Sequence, residues 1–403
     1  MSSDGSASND ISISARLALL LVTPLSGLAQ AGLTPILPQL SAHFSDVPNA
    51  DAVARMMLSG LSLAMIVGSL TGGVAGDKFG QRRLLLVLLG IYALAGTIGF
   101  YVDNLYIILA SRLVLGVATA AAGIIVAAIF TTRISPKPRE KWLGFTMVAG
   151  TLGSITLFAV IGAVAEIDWR YVFLLHALTV PVAILIMMTL PKADEAAAKT
   201  ALAERTVQHQ SSPGGIPFGM ALFGIACGAA STGYMMFLPF HFASIGAGDP
   251  AIVAGAMMVT GLSGAVVSFA YGWIRERLST VQVFALGFAA SATGLALVPL
   301  MPDYQMAYAA LVLVGAGVGL IGPNLFSASA AAAPPERRAR SIGFARAGMY
   351  AGPLVAQLPM EPIAQNLGPG AALTTLAGAA AVMVIVVILG KKVFEPFKGA
   401  EIS

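Results

Sequence analysis

The chain carries little charge and almost no cysteine. Asp, Glu, Lys and Arg make up only 10% of its 403 residues, whereas soluble domains carry about 25%, so a soluble globular fold is excluded. The single cysteine, Cys227, rules out a disulfide within the chain. The sequence also has no Walker motif and no cluster of metal-ligand residues, which argues against ATP-driven pumping, a metal site or any cofactor.

Apolar residues dominate what is there. They form 57% of the chain, and the mean hydropathy is +0.84. Spans of about 20 apolar residues cross a bilayer as helices, so the sequence predicts an all-α membrane protein. The twelve predicted transmembrane helices cover approximately residues 15–41, 52–76, 84–102, 105–132, 142–165, 171–190, 216–244, 251–273, 280–300, 305–332, 341–364 and 371–390.

Lys and Arg are distributed unevenly between the predicted loops. With the N-terminus inside, 19 of the 23 Lys and Arg residues fall in cytoplasmic segments, which sets the orientation. Two, Arg55 and Arg170, are placed outside, and two, Arg112 and Arg346, fall within helices. We therefore expect both termini in the cytoplasm and a multi-pass protein of the inner membrane.

The domain organisation follows from the spacing of the helices and from a polar segment in mid-chain. We expect two six-helix bundles joined by a cytoplasmic linker and flanked by two cytoplasmic tails, the first of them disordered. In order, these are the tail 1–14, the N-terminal bundle 15–190, the linker 191–215, the C-terminal bundle 216–390 and the tail 391–403.

An internal repeat supports two related halves. A shift of 199 residues places Gly116 on Gly315 and Gly123 on Gly322. Several such coincidences at one offset, in corresponding helices, indicate a pseudo-symmetric pair of bundles.

The loop between the second and third helices combines glycine with charge. It runs Gly-Val-Ala-Gly-Asp-Lys-Phe-Gly-Gln-Arg-Arg from Gly73 to Arg83. This pattern resembles the loop motif of the major facilitator superfamily of transporters. Arg112-Leu-Val-Leu-Gly116 and Trp169-Arg170-Tyr-Val-Phe173 are also similar to family patterns. The resemblance implies two pseudo-symmetric bundles around a central cavity that opens alternately to each side.

Residues of this loop and of its repeat copy are expected to control gating. Asp77 can meet the N-terminus of a neighbouring helix and hold the cytoplasmic side shut. The second copy keeps an acid and a base but has Ser279 where Gly80 stands, so we predict that Asp77 contributes more to closure than Glu276. The predicted gating residues are Gly73, Asp77, Lys78, Gly80, Arg82, Arg83, Glu276 and Arg277.

Charged residues inside a bilayer are costly and usually functional. Arg112 is either an anion-binding or coupling residue of the cavity, or an arginine in the outer third of the fourth helix that snorkels outward or bonds backbone carbonyls. Glu361 lies toward the outer end of the eleventh helix, and no carboxylate lies near the middle of any span. The predicted cavity or coupling residues are Gln30, Thr34, Arg112, Tyr234, Met235, Phe237, His241, Asn324, Arg346, Tyr350, Gln357 and Glu361.

These residues favour a secondary transporter that moves a small organic compound, not an enzyme. Export of an amphipathic or drug-like compound is the first hypothesis, because thioethers and aromatics crowd the seventh helix. The alternative is uptake or exchange of an organic anion at Arg112. A more distant alternative is a membrane receptor or intramembrane enzyme that transports nothing. A proton gradient is the candidate driving force, although the fifth helix lacks the proline of proton-coupled drug exporters. We expect a monomer that contacts lipid and substrate but no nucleic acid.

Overall fold

The fold is described by a computed structural model of the chain. It describes residues 10–134, 136–191, 218–333 and 338–391, without the side chains of residues 31, 77, 136–141, 143, 144, 147, 218 and 338–340. Twelve long helices run through these ranges: α1 (Ile13–His43), α2 (Ala50–Phe79), α3 (Gln81–Tyr101), α4 (Leu105–Thr132), α5 (Pro136–Ile167), α6 (Tyr171–Thr189), α7 (Gly219–Ser244), α8 (Pro250–Arg277), α9 (Thr280–Leu297), α10 (Tyr304–Ala331), α11 (Arg338–Leu367) and α12 (Pro369–Leu389).

Eleven of these helices are long and apolar enough to cross a membrane. The exception, α11, has 30 residues, which is ample length, but it contains Arg346, Glu361 and three prolines. Two of its polar residues, Gln357 and Glu361, bond α2 of the first half. The observed bounds confirm the predicted all-α fold to within a few residues; α5 differs most, since it begins at 136 rather than 142.

The two ends of the bundle differ in their helix caps and in their charge. Asn104, Asp249 and Asp303 accept backbone N–H bonds at the starts of α4, α8 and α10, so two of these three caps are acidic residues at one end. We call this the acidic end. The helix ends and connections at the opposite end carry Arg82, Arg83, Arg133, Arg275 and Arg277, and we call it the basic end.

Two helices are interrupted at repeat-equivalent positions. In α1 a 3₁₀ turn covers Thr34–Ile36, and in α7 another covers Gly233–Met236. A shift of 199 residues places Thr34 on Gly233. Such breaks are tolerated where the freed backbone groups are buried in protein or line a cavity, and the second of them borders the cavity described below.

The repeat extends to individual packing contacts. Gly116 on α4 lies against the carbonyl of Leu61 on α2, and Gly315 on α10 lies against the carbonyl of Thr260 on α8. Adding 199 to the residue numbers of the first pair gives those of the second pair. A Cβ at either glycine would overlap the facing carbonyl, so small residues permit close helix approach in both halves.

The buried apolar residues form three clusters that divide by end rather than by half alone. One cluster near the acidic end joins both halves; it includes Leu40 and Phe158 from the first and Phe242 and Met360 from the second. Toward the basic end, a second cluster lies in the first half and includes Leu115 and Phe130. The third belongs to the second half. The halves therefore share a core near the acidic end and have separate cores near the basic end.

The predicted tails and the linker 191–215 lie almost entirely outside the described residues. Residues 10–14, Pro191 and Lys391 are their described parts. The amide of Ile11 donates to the carbonyl of Arg133 at 3.2 Å, and Val387 packs in the same cluster as Val281. Both described chain ends therefore lie at the basic end.

Candidate functional site

A cavity lies between the two halves. Its volume is about 200 Å³. The first half contributes Gln30, Leu58 and Ser62. The second half contributes residues of α7, α10 and α11: Thr232, Met235, Met236, Phe326, Arg346, Met349, Tyr350 and Pro353. Thioethers, rings, hydroxyls and an amide thus line the cavity together with one guanidinium, that of Arg346, which makes the cavity amphipathic.

An ion pair joins the halves on the acidic side of this cavity. The Arg55 guanidinium on α2 donates from Nε to Glu361 Oε2 at 2.9 Å and from Nη2 to Oε1 at 2.6 Å. Its carbon lies 4.6 Å from the centre of the Phe240 ring on α7. Arg55 is only 3% exposed. Glu361 is partly exposed, so the pair is a bidentate, partly buried link between α2, α11 and α7.

A second link lies one helical turn closer to the cavity. Ser59 Oγ donates a hydrogen bond to Gln357 Oε1. Ser59 follows Arg55 by four residues on α2, and Gln357 precedes Glu361 by four on α11. Because residues four apart share a helix face, the two links form consecutive rungs of one ladder. We call these four residues the ladder.

The ladder adds a contact that the sequence does not predict. Arg55 is expected on the outer side, within the predicted span 52–76, and it lies in the second turn of α2, which begins at Ala50. Burial of its charge is explained by the carboxylate of Glu361, 306 residues away in the chain. The signal available in the sequence was the position of Arg55 inside an apolar run together with a single deep carboxylate in a later helix.

Arg112 lies away from the cavity. It is fully buried within the first half, and its Nη2 donates to the carbonyls of Ala95 and Gly96 on α3 at 2.8 and 2.9 Å. Its guanidinium carbon also lies 5.1 Å from the centre of the Phe173 ring. Of the two interpretations that the sequence left open, the geometry matches an arginine that bonds backbone carbonyls.

Several other predicted cavity residues pack elsewhere. Thr34, Phe237 and His241 are buried outside the cavity lining. Asn324 is held within the second half, where its Nδ2 donates to the Thr280 carbonyl at 2.9 Å. Tyr234 lines a second cavity, of about 240 Å³, along the α5–α8 boundary. Of the twelve predicted residues, Gln30, Met235, Arg346 and Tyr350 line the central cavity, while Gln357 and Glu361 close it.

The loop after α2 is a tight turn at the basic end. Gly80 has a φ of 84° and precedes α3 directly, a conformation that favours glycine. Arg82 donates to the carbonyls of Leu190 and Met187 at 2.6 and 2.7 Å. It therefore caps the C-terminal end of α6, where carbonyls lack helical partners. The side chain of Asp77 lies outside the described residues.

The remaining gating candidates occupy the same end. Gly73 lies near Ile124 of α4, Lys78 lies over the Phe79 ring at 5.4 Å, and Arg83 is exposed. In the second copy, the guanidinium of Arg277 lies 3.7 Å from the centre of the Trp273 ring. Glu276 lies in the last turn of α8.

The second copy ends its turn by different chemistry. Ser279 replaces Gly80 and caps α9: its hydroxyl accepts from the Gln282 amide, and the Gln282 side chain accepts from the Ser279 amide. This capping box holds ordinary backbone angles at Ser279. The two turns therefore differ in backbone conformation as well as in sequence.

A charged cluster ties the loops of the first half together at the acidic end. Asp103 Oδ1 lies 2.7 Å from His43 Nε2 and 2.7 Å from Arg170 Nη2. The hydrogen bond to His43, assisted by Arg170, holds the pKa of the Asp103 carboxyl below its usual range. The cluster is exposed and joins the end of α1 to the starts of α4 and α6.

Twelve helices in two repeated halves, a cavity between them and a closure at one end define a multi-pass transporter of small molecules. The chain belongs to the Major Facilitator Superfamily, whose family model matches residues 19–357. It is a transporter and not an enzyme.

The chain is similar in sequence to relatives of different activities. The chain is 25% identical over 331 residues to the class D tetracycline resistance protein of Salmonella ordonez, covering 78% of this chain and 81% of that protein. It is 35% identical over 119 residues to the inner membrane metabolite transport protein YdjE of Escherichia coli (strain K12). That match spans about a quarter of each protein, at 29% of this chain and 26% of YdjE.

A solved structure agrees over nearly the whole fold. The crystal structure of a D-xylose-proton symporter superposes with a TM-score of 0.75 at 15% identity, covering 93% of this chain and 96% of that one. At this identity the likeness concerns the fold alone.

Proposed function

We propose that this protein exports a small amphipathic organic compound across the bacterial inner membrane by alternating access. The observation that carries the proposal is the central cavity, which contacts both halves and is closed on one side by the ladder. A binding site that both halves share, next to a closure made by both halves, is what alternating access requires.

The orientation of this state follows from the distribution of charge. Lys and Arg favour the cytoplasmic side of a membrane protein, so we assign the basic end, and both termini, to the cytoplasm. The shared core and the ladder then lie at the outer side. We therefore infer a state closed to the outside, and the separate cores of the two halves near the basic end support access to the cavity from the cytoplasm.

Two observations support export of a compact compound. The similarity to a tetracycline resistance protein runs through 78% of this chain, and the lining combines three thioethers with rings and hydroxyls. Thioethers adapt to varied apolar ligands. The volume of about 200 Å³ is below the ~300–1,000 Å³ typical of sites for drug-sized ligands. We therefore favour an amphipathic compound of metabolite size.

If a proton gradient drives transport, Glu361 is the candidate for the group that takes up the proton. It lies deeper in its helix than the other carboxylates of the described residues, six residues before the end of α11. Protonation would remove the charge that holds Arg55 across the boundary between the halves. Release of a proton-sensitive ladder would then permit opening to the outside.

The proposal is tested by locking the ladder. Ser59→Cys and Gln357→Cys together place two thiols across the two halves, and a short bifunctional thiol reagent joins them. In proteoliposomes with an imposed pH gradient, we expect flux of a small amphipathic fluorophore through the unlinked protein and loss of that flux on crosslinking. The single variants treated with the same reagent are the controls.

Two results would contradict the proposal. Flux that survives complete crosslinking would show that opening at the ladder is not part of transport. Absence of flux in the wild-type protein for neutral, anionic and cationic fluorophores, in both vesicle orientations, would remove the transport of amphipathic compounds itself.

A further inference from the structure

Within the described helices, three arginines lie more than one turn from either helix end, and two of them are already bonded to protein groups. Arg55 is paired with Glu361 through two hydrogen bonds. Arg112 bonds the carbonyls of Ala95 and Gly96 and lies over the Phe173 ring. Both are buried, at 3% and 0% exposed, and neither lines the central cavity; the one donor of Arg112 without a partner, Nη1, is enclosed within the first half.

The third arginine, Arg346, is in a different situation. It lies on α11 and lines the central cavity, half-buried. Its contact is the ring of Phe326, whose centre lies 5.6 Å from the guanidinium carbon. Within the described part of the chain, no protein oxygen accepts a hydrogen bond from it. A guanidinium has five N–H donors in a planar fork that matches a carboxylate, so its donors remain available in the cavity.

The charge of the cavity is not balanced by its walls. Among the described residues that line it, none is Asp or Glu. The carboxylate of Glu361 lies 15 residues further along α11, about 22 Å at 1.5 Å per residue, and is already paired with Arg55. The cavity therefore carries one positive charge, which favours an anionic ligand.

The rest of the lining selects the body of that ligand. Met235, Met236 and Met349 provide an apolar, adaptable wall, and Pro353 continues it on α11. Gln30 and Tyr350 can donate or accept hydrogen bonds from opposite sides. A molecule with one anionic group at Arg346 and an apolar body against the thioethers satisfies both parts.

We propose that the compound carried by this transporter is an amphipathic organic monoanion, such as a carboxylate, whose charged group binds the guanidinium of Arg346. The inference rests on the proposed transport function and assigns its substrate class. It places the binding charge on the second half, at the boundary with the first, and not at Arg112.

Binding of matched probes tests the substrate class. The probes are 4-phenylbutyrate, its neutral amide and 4-phenylbutylamine, which share one apolar body and differ in charge. Thermal stability of the purified full-length protein at pH 7 reports binding. We expect the carboxylate to bind the wild-type protein at least tenfold more tightly than the amide or the amine, since a charge-assisted bond is stronger than a neutral one.

Two substitutions and one control assign the effect to Arg346. Arg346→Gln should weaken carboxylate binding by about tenfold to a hundredfold and remove the preference over the amide. Arg346→Lys should keep the charge but lose bidentate geometry, with an intermediate loss. Lys391→Gln, which removes an exposed charge beyond α12, should leave both affinities unchanged.

The outcomes separate this inference from the transport function. A preference for the amine or the amide, or a carboxylate preference that persists in Arg346→Gln, would overturn the assignment while leaving transport of an amphipathic compound intact. Failure of all three probes to bind, together with absence of flux for fluorophores of every charge, would overturn both.

Discussion

Arg55 and Glu361 form a bidentate ion pair between α2 and α11, although 306 residues separate them in the chain. Together with Ser59 and Gln357 the pair closes the cavity on its acidic side. Removal of one partner leaves the other charge without compensation, at a cost below the ~3–5 kcal/mol of a fully buried pair because Glu361 is partly exposed. The closed state therefore depends on both charges being present.

The effect of a single substitution in this pair should be partly reversed by a second substitution in its partner. Glu361→Gln or Arg55→Gln alone should shift the protein toward the state open at the acidic end, whereas the double variant should recover part of the closed population. The measurement is labelling of Ser62→Cys, in the cavity wall, by an impermeant thiol reagent applied from the acidic side. The native Cys227 is fully buried, so background labelling should be low.

Labelling of Gln30→Cys provides a second reporter, since residue 30 lines the same cavity from α1. Both reporters should respond together if the closure as a whole opens. Equal labelling in wild-type and single variants would show that the ion pair does not set the balance between states.

Arg112 should affect stability without affecting ligand charge preference. Its side chain is fully buried among α3, α4 and α6. Arg112→Ala should reduce stability by about 2–5 kcal/mol, as other large-to-small substitutions in cores do. The measurement is thermal unfolding beside the carboxylate-to-amide affinity ratio, which should remain as in the wild type. A ratio near one in Arg112→Ala would return Arg112 to the candidates for anion binding.

The fold could be predicted from the sequence because its signals are local. Long apolar runs, the bias of Lys and Arg and the 199-residue offset each report on neighbouring residues or on a simple shift. The offset even predicts contacts, since Gly116–Leu61 and Gly315–Thr260 are equivalent pairs. In a bilayer, backbone bonds must be satisfied within each helix, so spans can be identified one at a time.

The site could be predicted only in part because it depends on pairs that are distant in the chain. The free-energy cost of burying a charge singles out both Arg112 and Arg346 in the sequence. It does not show that Arg112 bonds carbonyls on α3 while Arg346 lines the cavity. Arg55 is not among the predicted site residues because its partner, Glu361, lies on the other half. Which polar residue faces a neighbour, lipid or the cavity is decided by tertiary packing.

The two copies of the basic-end loop should contribute unequally to gating. Gly80 adopts a left-handed conformation before α3, whereas Ser279 forms a capping box before α9. We expect Asp77→Asn to impair transport or shift the balance between states more than Glu276→Gln does. Proteoliposome flux and the Ser62→Cys labelling described above measure the two effects. Equal impairment by both substitutions would contradict an asymmetric cytoplasmic closure.

Paired glycines give a final test of the repeat. Gly116 and Gly315 face a carbonyl on the neighbouring helix, while Gly123 and Gly322, on the same two helices, have no heavy atom within 4 Å of an added Cβ. Gly116→Ala and Gly315→Ala should each destabilise the protein by about 1–3 kcal/mol through overpacking. Gly123→Ala and Gly322→Ala should be neutral or stabilising by up to about 1 kcal/mol, because alanine favours helix. Thermal unfolding of the four variants checks this, and similar losses at all four positions would mean that close approach is not what requires glycine at the first two.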